Sequence, residues 1–283
     1  MANESTTTTL NDLLPSIVAE ALFVASERSI MRGLVRNFAI PMNSGKTITV
    51  PTYPILTASS VNEGTDLANT AVSTGGAVLT VGEVGIMTTV TDLAVRSSAS
   101  NVIADVGRLF GDAIARKIDQ DLTALFSGFS VAQGDGTAAL SAADIFKAVA
   151  KLRNLGVPAT DLYCVVNPLI AYDLKAALTN TYANPNAGLL QNEAMQSGYV
   201  GLLAGVPVFE SANVSETDGD SVGALFHKDA LGLALMQDIS IESQRDASLR
   251  ATELVASAVY GTGELYDGYG IKLNFDSSLK NPA

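Results

Sequence analysis

Apolar residues recur along the chain with two different periods, and the changes of period divide it into segments. Leu14, Ile17, Val18, Ala21, Leu22 and Ala25 fall on one face of a helix that Asn11 or Asp12 can cap, with Pro15 in a first turn where a missing N–H costs little. The residues before it, including the run Thr6 to Thr9, read as an extended arm. Arg28, Arg32 and Arg36 then recur every four residues, either as a solvated helix face or as a basic stripe set against a polyanion. From Gly45 to Tyr53 the period becomes two, with Ile48 and Val50 alternating with Thr47 and Thr49, while Pro51 and Pro54 favour a sheet edge or an extended loop. Residues 55 to 77 hold Ser59, Ser60, Asn62, Gly64, Asn69, Gly75 and Gly76 and almost no long apolar side chain, an insertion that compact domains rarely carry. Alternation resumes at Val78, and its phase switches at Gly82 and Glu83 as it would at a β-bulge. Residues 46 to 92 therefore predict one long hairpin with a protruding polar tip.

The strongest helical stripe follows: Val102, Val106, Leu109, Phe110, Ala113, Ile114, Ile118, Leu122 and Leu125, with Ser100 or Asn101 as cap and an end near Gly128. At about 1.5 Å per residue it predicts a rod of roughly 40 Å, long enough to act as a strut. Past the loop Gln133-Gly134-Asp135-Gly136 the pattern turns to compact α/β. Ser141 and Asp144 open a helix as a capping box, Ile145, Val149 and Leu152 form its core stripe, and Gly156 and Pro158 stop it. Leu162 to Val166 reads as a short buried strand, and Asn167-Pro168 opens a helix through Leu178. Short strands are expected at Val206 to Phe209, Ala224 to Phe226 and Leu233 to Met236, with a turn over Glu216 to Asp220 and clear period-two alternation at Ile239, Ile241, Ile271, Leu273 and Phe275. No internal repeat is evident.

Composition narrows the chemistry. The 283 residues are 47% hydrophobic and 16% charged, enough to bury a core without disulfides, and the formal net charge of -12 argues against a general reader of nucleic-acid grooves. One Cys, one His and no Trp remove a disulfide framework and a Cys/His zinc site and leave His227 as the single candidate for a histidine base. Met1 to Thr9 has no positive n-region, and Glu20 interrupts the apolar run Ile17 to Ala25, so neither a cleaved signal nor a membrane span is predicted. Gly45-Lys46-Thr47 lacks the upstream glycine of a phosphate loop, since Ile40 stands there. Glu216, Asp218 and Asp220 lack the twelve-position calcium pattern, and Cys164 sits in an apolar run as a core residue. Asp119 and Asp121 lie about 200° apart on a helix and cannot act as a dyad there. A hydrolase centred on His227 and a β-rich adhesin are the readings from other classes; no catalytic residue, cofactor or metal is assigned.

The order arm helix, protruding hairpin, long helix, compact α/β insertion and returning strands resembles the major capsid proteins of tailed bacteriophages (Caudoviricetes), the Hong Kong 97 type fold. The residues that carry the resemblance are Val84-Gly85-Ile86-Met87-Thr88-Thr89-Val90-Thr91-Asp92-Leu93, leading to a helix that ends Asp121-Leu122-Thr123-Ala124-Leu125-Phe126-Ser127-Gly128. Tyr163-Cys164-Val165-Val166-Asn167-Pro168 is similar to the family's strand, Asn-Pro, helix step, and Leu203-Ala204-Gly205-Val206-Pro207-Val208 with Ser211 to its axial-domain segment. The resemblance implies an α+β subunit with an N-terminal arm over 1–38, an extended loop over 39–80, a peripheral domain with the spine helix over 81–130 and 237–283, and an axial α/β domain over 131–236. It implies self-assembly as hexamers and pentamers into an icosahedral virion capsid around double-stranded DNA, synthesis in the bacterial host cytoplasm, and a separate scaffolding protein, a portal and a decoration protein as candidate partners. Glu63 and Asp66, in a tip without cations, are candidate intersubunit contacts; Arg28, Arg32 and Arg36 are candidate inner-surface contacts to packaged DNA. The extended loop has only Lys46 near its base, so the Lys–Asn crosslink of the family's type member is not assigned. An encapsulin-type nanocompartment holding cargo enzymes is the alternative that shares the fold.

Overall fold

The computed structural model describes residues 29–53, 56, 58, 60–64, 66, 71, 72, 75–97, 102–181 and 201–279. The arm helix expected before Arg28, Arg28 itself and the caps at Ser100 and Asn101 lie outside these residues. In chain order the elements are α1 (Met31–Leu34), β1 (Arg36–Ala39), β2 (Thr47–Thr52), β3 (Gly75–Thr80), β4 (Gly82–Thr91), α2 (Asp92–Ser97) and α3 (Val102–Ala124). There follow β5 (Ala132–Gln133), α4 (Ala142–Asn154), β6 (Leu162–Val166), α5 (Pro168–Thr181), β7 (Leu202–Leu203), β8 (Val206–Glu210), β9 (Glu216–Thr217), β10 (Asp220–His227), β11 (Leu231–Asp246), β12 (Ala251–Glu264) and β13 (Gly270–Asp276).

Helix α3 is the rod that the apolar stripe predicts. Its 23 residues span about 35 Å. A 3₁₀ turn over Leu125–Gly128 ends it. Phe110, Ile114, Ile118 and Leu122 are buried against Leu254, Ala256, Ala258 and Tyr260 of β12 and Ile239 and Ile241 of β11. Leu109 departs from the predicted stripe and is 64% exposed. The strands beneath form a four-stranded sheet in the order β1, β11, β12, β4, in which β11 and β12 make one long antiparallel ribbon with register shifts between Leu235 and Gln237 and between Gln237 and Ser240.

The predicted hairpin over 46 to 92 divides in two. Strand β2 pairs with β3 from Thr47↔Thr80 to Thr52↔Gly75, whereas β4 pairs with β12 from Gly82↔Tyr260 to Thr91↔Ala251. The phase switch at Gly82 is therefore a change of sheet rather than a bulge: Val81 closes the hairpin with its N–H to Lys46 O at 2.9 Å, and the chain then enters the other sheet. The arginine stripe is also corrected. Helix α1 has four residues, Val35 is extended, and Arg36 opens a strand that runs parallel to β11, so Arg32 and Arg36 do not share a helix face.

A second, seven-stranded sheet runs β5, β13, β10, β6, β8, β7, with β9 on β10. Helices α4 and α5 cover it through Ile145, Val149, Leu152, Ile170 and Leu174. Ser141 and Asp144 form the expected capping box, and α4 stops at Gly156, whose φ of +82° lets Val157 N–H reach Leu152 O at 3.2 Å. Asn167 caps α5, its Oδ1 accepting from Leu169 N at 2.9 Å, and its Nδ2 donates to Val214 O at 2.9 Å. The segment expected as one unit over 237–283 is split by the pairing: β13 lies in this second sheet between β5 and β10. Asp173, nearly buried, fixes the chain after β13 by accepting from Ser277 Oγ at 3.0 Å and Ser278 N at 2.8 Å.

Candidate functional site: an extended hairpin and its anchorage

The β2–β3 hairpin is held at its root by three glycines. Gly232 of β11 faces Gly263 of β12, and Ala234 faces Gly261, so the ribbon carries nothing larger than the Ala234 methyl at these pairs where β3 crosses it. Leu79 lies in that track, almost fully buried with Ile40, Val50, Val81, Ala234 and Leu265. The approach is close: a Cβ on Gly263 would lie 2.5 Å from Leu79 Cδ2, and one on Gly261 would lie 2.2 Å from Thr80 O. β4 pairs with β12 as far as Gly82↔Tyr260, and Thr80 and Leu79 continue past Gly261 and Gly263, so the hairpin leaves the sheet from the Glu264 end of β12. The tip presents Leu56, Val61 and Val72 to solvent together with Glu63 and Asp66, which form no ion pair with the described residues.

A second anchorage centres on Asp119. Its carboxylate is buried and accepts from Ser29 Oγ at 2.8 Å, Ile30 N at 3.1 Å, Met31 N at 3.2 Å and Asn213 Nδ2 at 3.4 Å, which ties the start of the described chain, helix α3 and the loop after β8 to one side chain. Burial outweighs these donors and raises its pKa above the ordinary aspartate value. Asp121, on the other side of the helix, accepts from Lys117 Nζ at 2.7 Å and Tyr260 Oη at 2.8 Å. The two aspartates thus point to different partners, as their spacing predicts.

The far end of the ribbon carries a cluster of charges of both signs, Arg96, Arg245 and Arg250 with Asp92, Asp246 and Glu253. Arg245 donates to Asp92 through two bonds of 2.6 and 2.7 Å, and Asp92 N bonds Arg250 O at 2.9 Å, so α2 and the turn after β11 are joined. The Arg245 hydrogen bonds hold the Asp92 carboxyl below its usual range, and Arg245, Arg96 and Arg250 add their field. Asp246 accepts from Ser248 N at 2.9 Å, Ser248 Oγ at 2.6 Å and Leu249 N at 3.2 Å, which gives the turn a fixed shape. Around it Leu93 and Leu249 are 76% and 62% exposed.

The remaining predicted positions take plain structural parts. Arg32 pairs with Asp238 and Arg36 with Asp229, each at 3.2 Å, and Arg36 also lies over the Phe38 ring. His227 Nδ1 accepts from Asp229 N at 3.1 Å and its ring meets Tyr269 edge on, so the imidazole caps the 3₁₀ turn that follows. Cys164 is buried in β6 and its thiol is pushed up to about 12. Glu216 to Asp220 forms the expected turn, with positive φ at Asp218 and Gly219. The cleft of about 610 Å³ between α3 and the loop 211–216 has one carboxylate, Glu216, which accepts from Gly219 N at 2.7 Å. No helix among the described residues is long and apolar enough to cross a membrane, and no group of three His, Cys, Asp or Glu side chains among them could hold a metal ion.

A long helix packs over one sheet, the ribbon's continuation completes a second sheet, and a hairpin is held at one end. A family model described as a phage capsid protein matches residues 76–273, and the chain belongs to this phage capsid protein family. Among solved structures it is similar to the capsid of the cyanophage P-SCSP1u, with TM-score 0.70 and 21% identity over 88% of this chain and 89% of that one. Mycobacterium phage Che8 gives TM-score 0.65 and 22% identity over 81% and 85%, and the acidic stable capsid of Helicobacter pylori bacteriophage KHP30 gives 0.69 and 15% over 86% and 88%. These likenesses are likenesses of fold, and the fold is the α+β Hong Kong 97 type. The encapsulin alternative finds no support in them. No curated protein matches the chain.

Proposed function

We propose that this capsid protein is the major shell subunit of a tailed phage, assembling as hexamers and pentamers around double-stranded DNA with a separate scaffolding protein and a portal. The observation that carries this reading is the β2–β3 hairpin: it is rooted on its own sheet through Leu79, while its apolar and acidic tip residues are exposed and need a neighbouring subunit to cover them. In this reading residues 1–38 are the arm, 39–80 the extended loop, 81–130 and the ribbon β11–β12 the peripheral domain, and 131–230 with β13 the axial domain. Arg28, Arg32 and Arg36 belong to the inner surface, where a subunit of net charge -12 touches DNA sparsely and without sequence preference. The structural role calls for no catalytic group. Electron microscopy of the purified protein tests the proposal: closed shells or capsomers are expected, and a compact monomer under all assembly conditions would refute it. A chain lacking residues 58–72 is expected to fold and fail to close shells.

A further inference from the structure

We propose that the place where the chain crosses between its two sheets is a pH-sensitive latch, in which one proton held between Glu264 and Asp267 fastens the β12–β13 crossover to the end of helix α3.

Topology sets the place. Among the described residues the chain passes between the layer of the first sheet with α3 and the second sheet three times: at 125–131 between α3 and β5, at 228–230 between β10 and β11, and at 265–269 between β12 and β13. The three crossovers meet and are bonded to one another. Leu265 N and Tyr266 N donate to Ala230 O at 2.8 and 3.3 Å, Ser130 N donates to Asp267 Oδ1 at 2.7 Å, and Ser130 Oγ donates to Asp267 Oδ2. The Tyr269 ring stacks on Tyr266 and meets His227 edge on. A change in the angle between the two sheets has to be taken up at these three segments.

The same place sets a carboxyl where an anion is disfavoured. Glu264 ends β12, and a Cβ added to Gly128 would lie 3.2 Å from its Oε2, so the carboxyl sits against the turn that closes α3, the pole where unpaired carbonyls repel negative charge. It is hydrogen-bonded to the Asp267 carboxyl, and two carboxyl groups share such a bond only with a proton between them. The other groups at the pair are the Ser130 donors and Lys272, whose Nζ donates to Ser127 O at 3.5 Å and whose field reaches Asp267. Among the described residues no cation bonds Glu264. His227 and Asp229, on the crossover at 228–230, turn instead to Tyr269 and Arg36.

The donors decide which partner is charged. Burial acts against an anion at Asp267, but the Ser130 bonds, the Glu264 bond and the Lys272 field outweigh it and hold its pKa below the ordinary value. Burial, the Asp267 charge and the shared bond raise that of Glu264 above the ordinary 4.5. Between the two values the pair carries one proton and one charge. Because the folded value of Glu264 is the raised one, its share of the fastening is fully present below pH 4.5 and is lost as pH rises through the folded pKa, when a second charge meets Asp267 and the helix end. Mild acid therefore fixes the relation of the two sheets, and rising pH frees it.

Hydrogen exchange of the full chain between pH 4.5 and 8 tests this, each rate divided by the intrinsic rate at that pH and all variants compared in the same assembly state. In the wild type, exchange within 264–270 should rise about tenfold or more across the range, while that of β6 stays within about twofold. E264Q, which keeps a donor toward Asp267 and never ionises, should hold the rise at 264–270 within about threefold. D267N removes the opposing charge and should move the midpoint of the profile to lower pH, a shift that a merely structural contact would not give. Should E264Q fail to fold, the wild-type profile and the D267N midpoint decide between them. A flat wild-type profile, an E264Q profile that follows the wild type, or an unmoved D267N midpoint would overturn the latch and leave the shell reading in place.

Discussion

Replacing Gly261 by alanine should disconnect the extended loop from the subunit without unfolding it. The new Cβ would stand 2.2 Å from Thr80 O and 2.7 Å from Thr80 C, and both are backbone atoms with no rotamer to escape into. Ordinary contact begins near 3.4 Å, so the root of the hairpin must retreat by about 1.2 Å (3.4 less 2.2). Pivoting over the ~7 Å between Leu79 and Val81, that retreat swings the far end of a ~20 Å strand by about 3 Å, beyond the reach of a hydrogen bond at an interface. Leu79 leaves its glycine track at the same time, which costs about 1.5 to 3 kcal/mol of burial. Helix α3 and the second sheet do not touch this site and should persist. We expect G261A to lose a few degrees of Tm, to be cut faster by protease within residues 54 to 74, and to yield no closed particles. Wild-type particle yield together with an unchanged cleavage rate would refute the reasoning.

The Asp119 anchorage makes a pH prediction. Because burial raises its pKa in the folded chain above the ordinary value of 3.8, its contribution to stability is fully present below pH 3.8 and is lost as pH rises through the folded pKa, so D119N should flatten that part of the urea-midpoint profile. D119A leaves the N–H groups of Ile30 and Met31 without their acceptor and should cost about 1 to 3 kcal/mol by the same assay. Cys164, with its thiol pushed up to about 12 and its side chain buried, should react with a maleimide only at the rate of global unfolding; fast labelling of the native subunit at pH 8 would contradict its placement. Changing Arg28, Arg32 and Arg36 together to Gln should lower retained DNA or scaffold, with the loss of the partly exposed Arg32 and Arg36 pairs costing only about 0 to 1 kcal/mol each. Particles with wild-type DNA and scaffold content would remove these arginines from the inner surface.

Local chemistry was readable from the chain, and pairing across distance was not. The i,i+4 apolar run that builds α3, the Ser141 capping box and the Asn167-Pro168 start of α5 are decided by residues close in sequence, and all three stand where their pattern puts them. A period of two says that alternate residues share a face, but not which strand lies beside them. Strand β4 therefore looked like a partner of β2, when it is zipped to β12 some 170 residues later, and β13 gave no sign that it joins β10. The spacing of Arg28, Arg32 and Arg36 satisfies a helix, yet parallel pairing with β11 claims Arg36 for a strand. Arg96, Arg245 and Arg250 are scattered in sequence and meet only because α2 packs beside the ribbon turn. Gly261 and Gly263, two apart on one face of a strand, were the one visible sign of the track beneath the hairpin.

The position of β13 bears on when a subunit becomes fit to assemble. A chain still being synthesised can fold α3 beneath the β11–β12 ribbon and present a finished loop, but until residue 276 is made the second sheet has two raw edges, on β5 and on β10. Both edges are filled by the same late strand, which Asp173 then locks from behind through Ser277 and Ser278. The two edges therefore close in one step, and the second sheet is complete only when the chain has been made through residue 276.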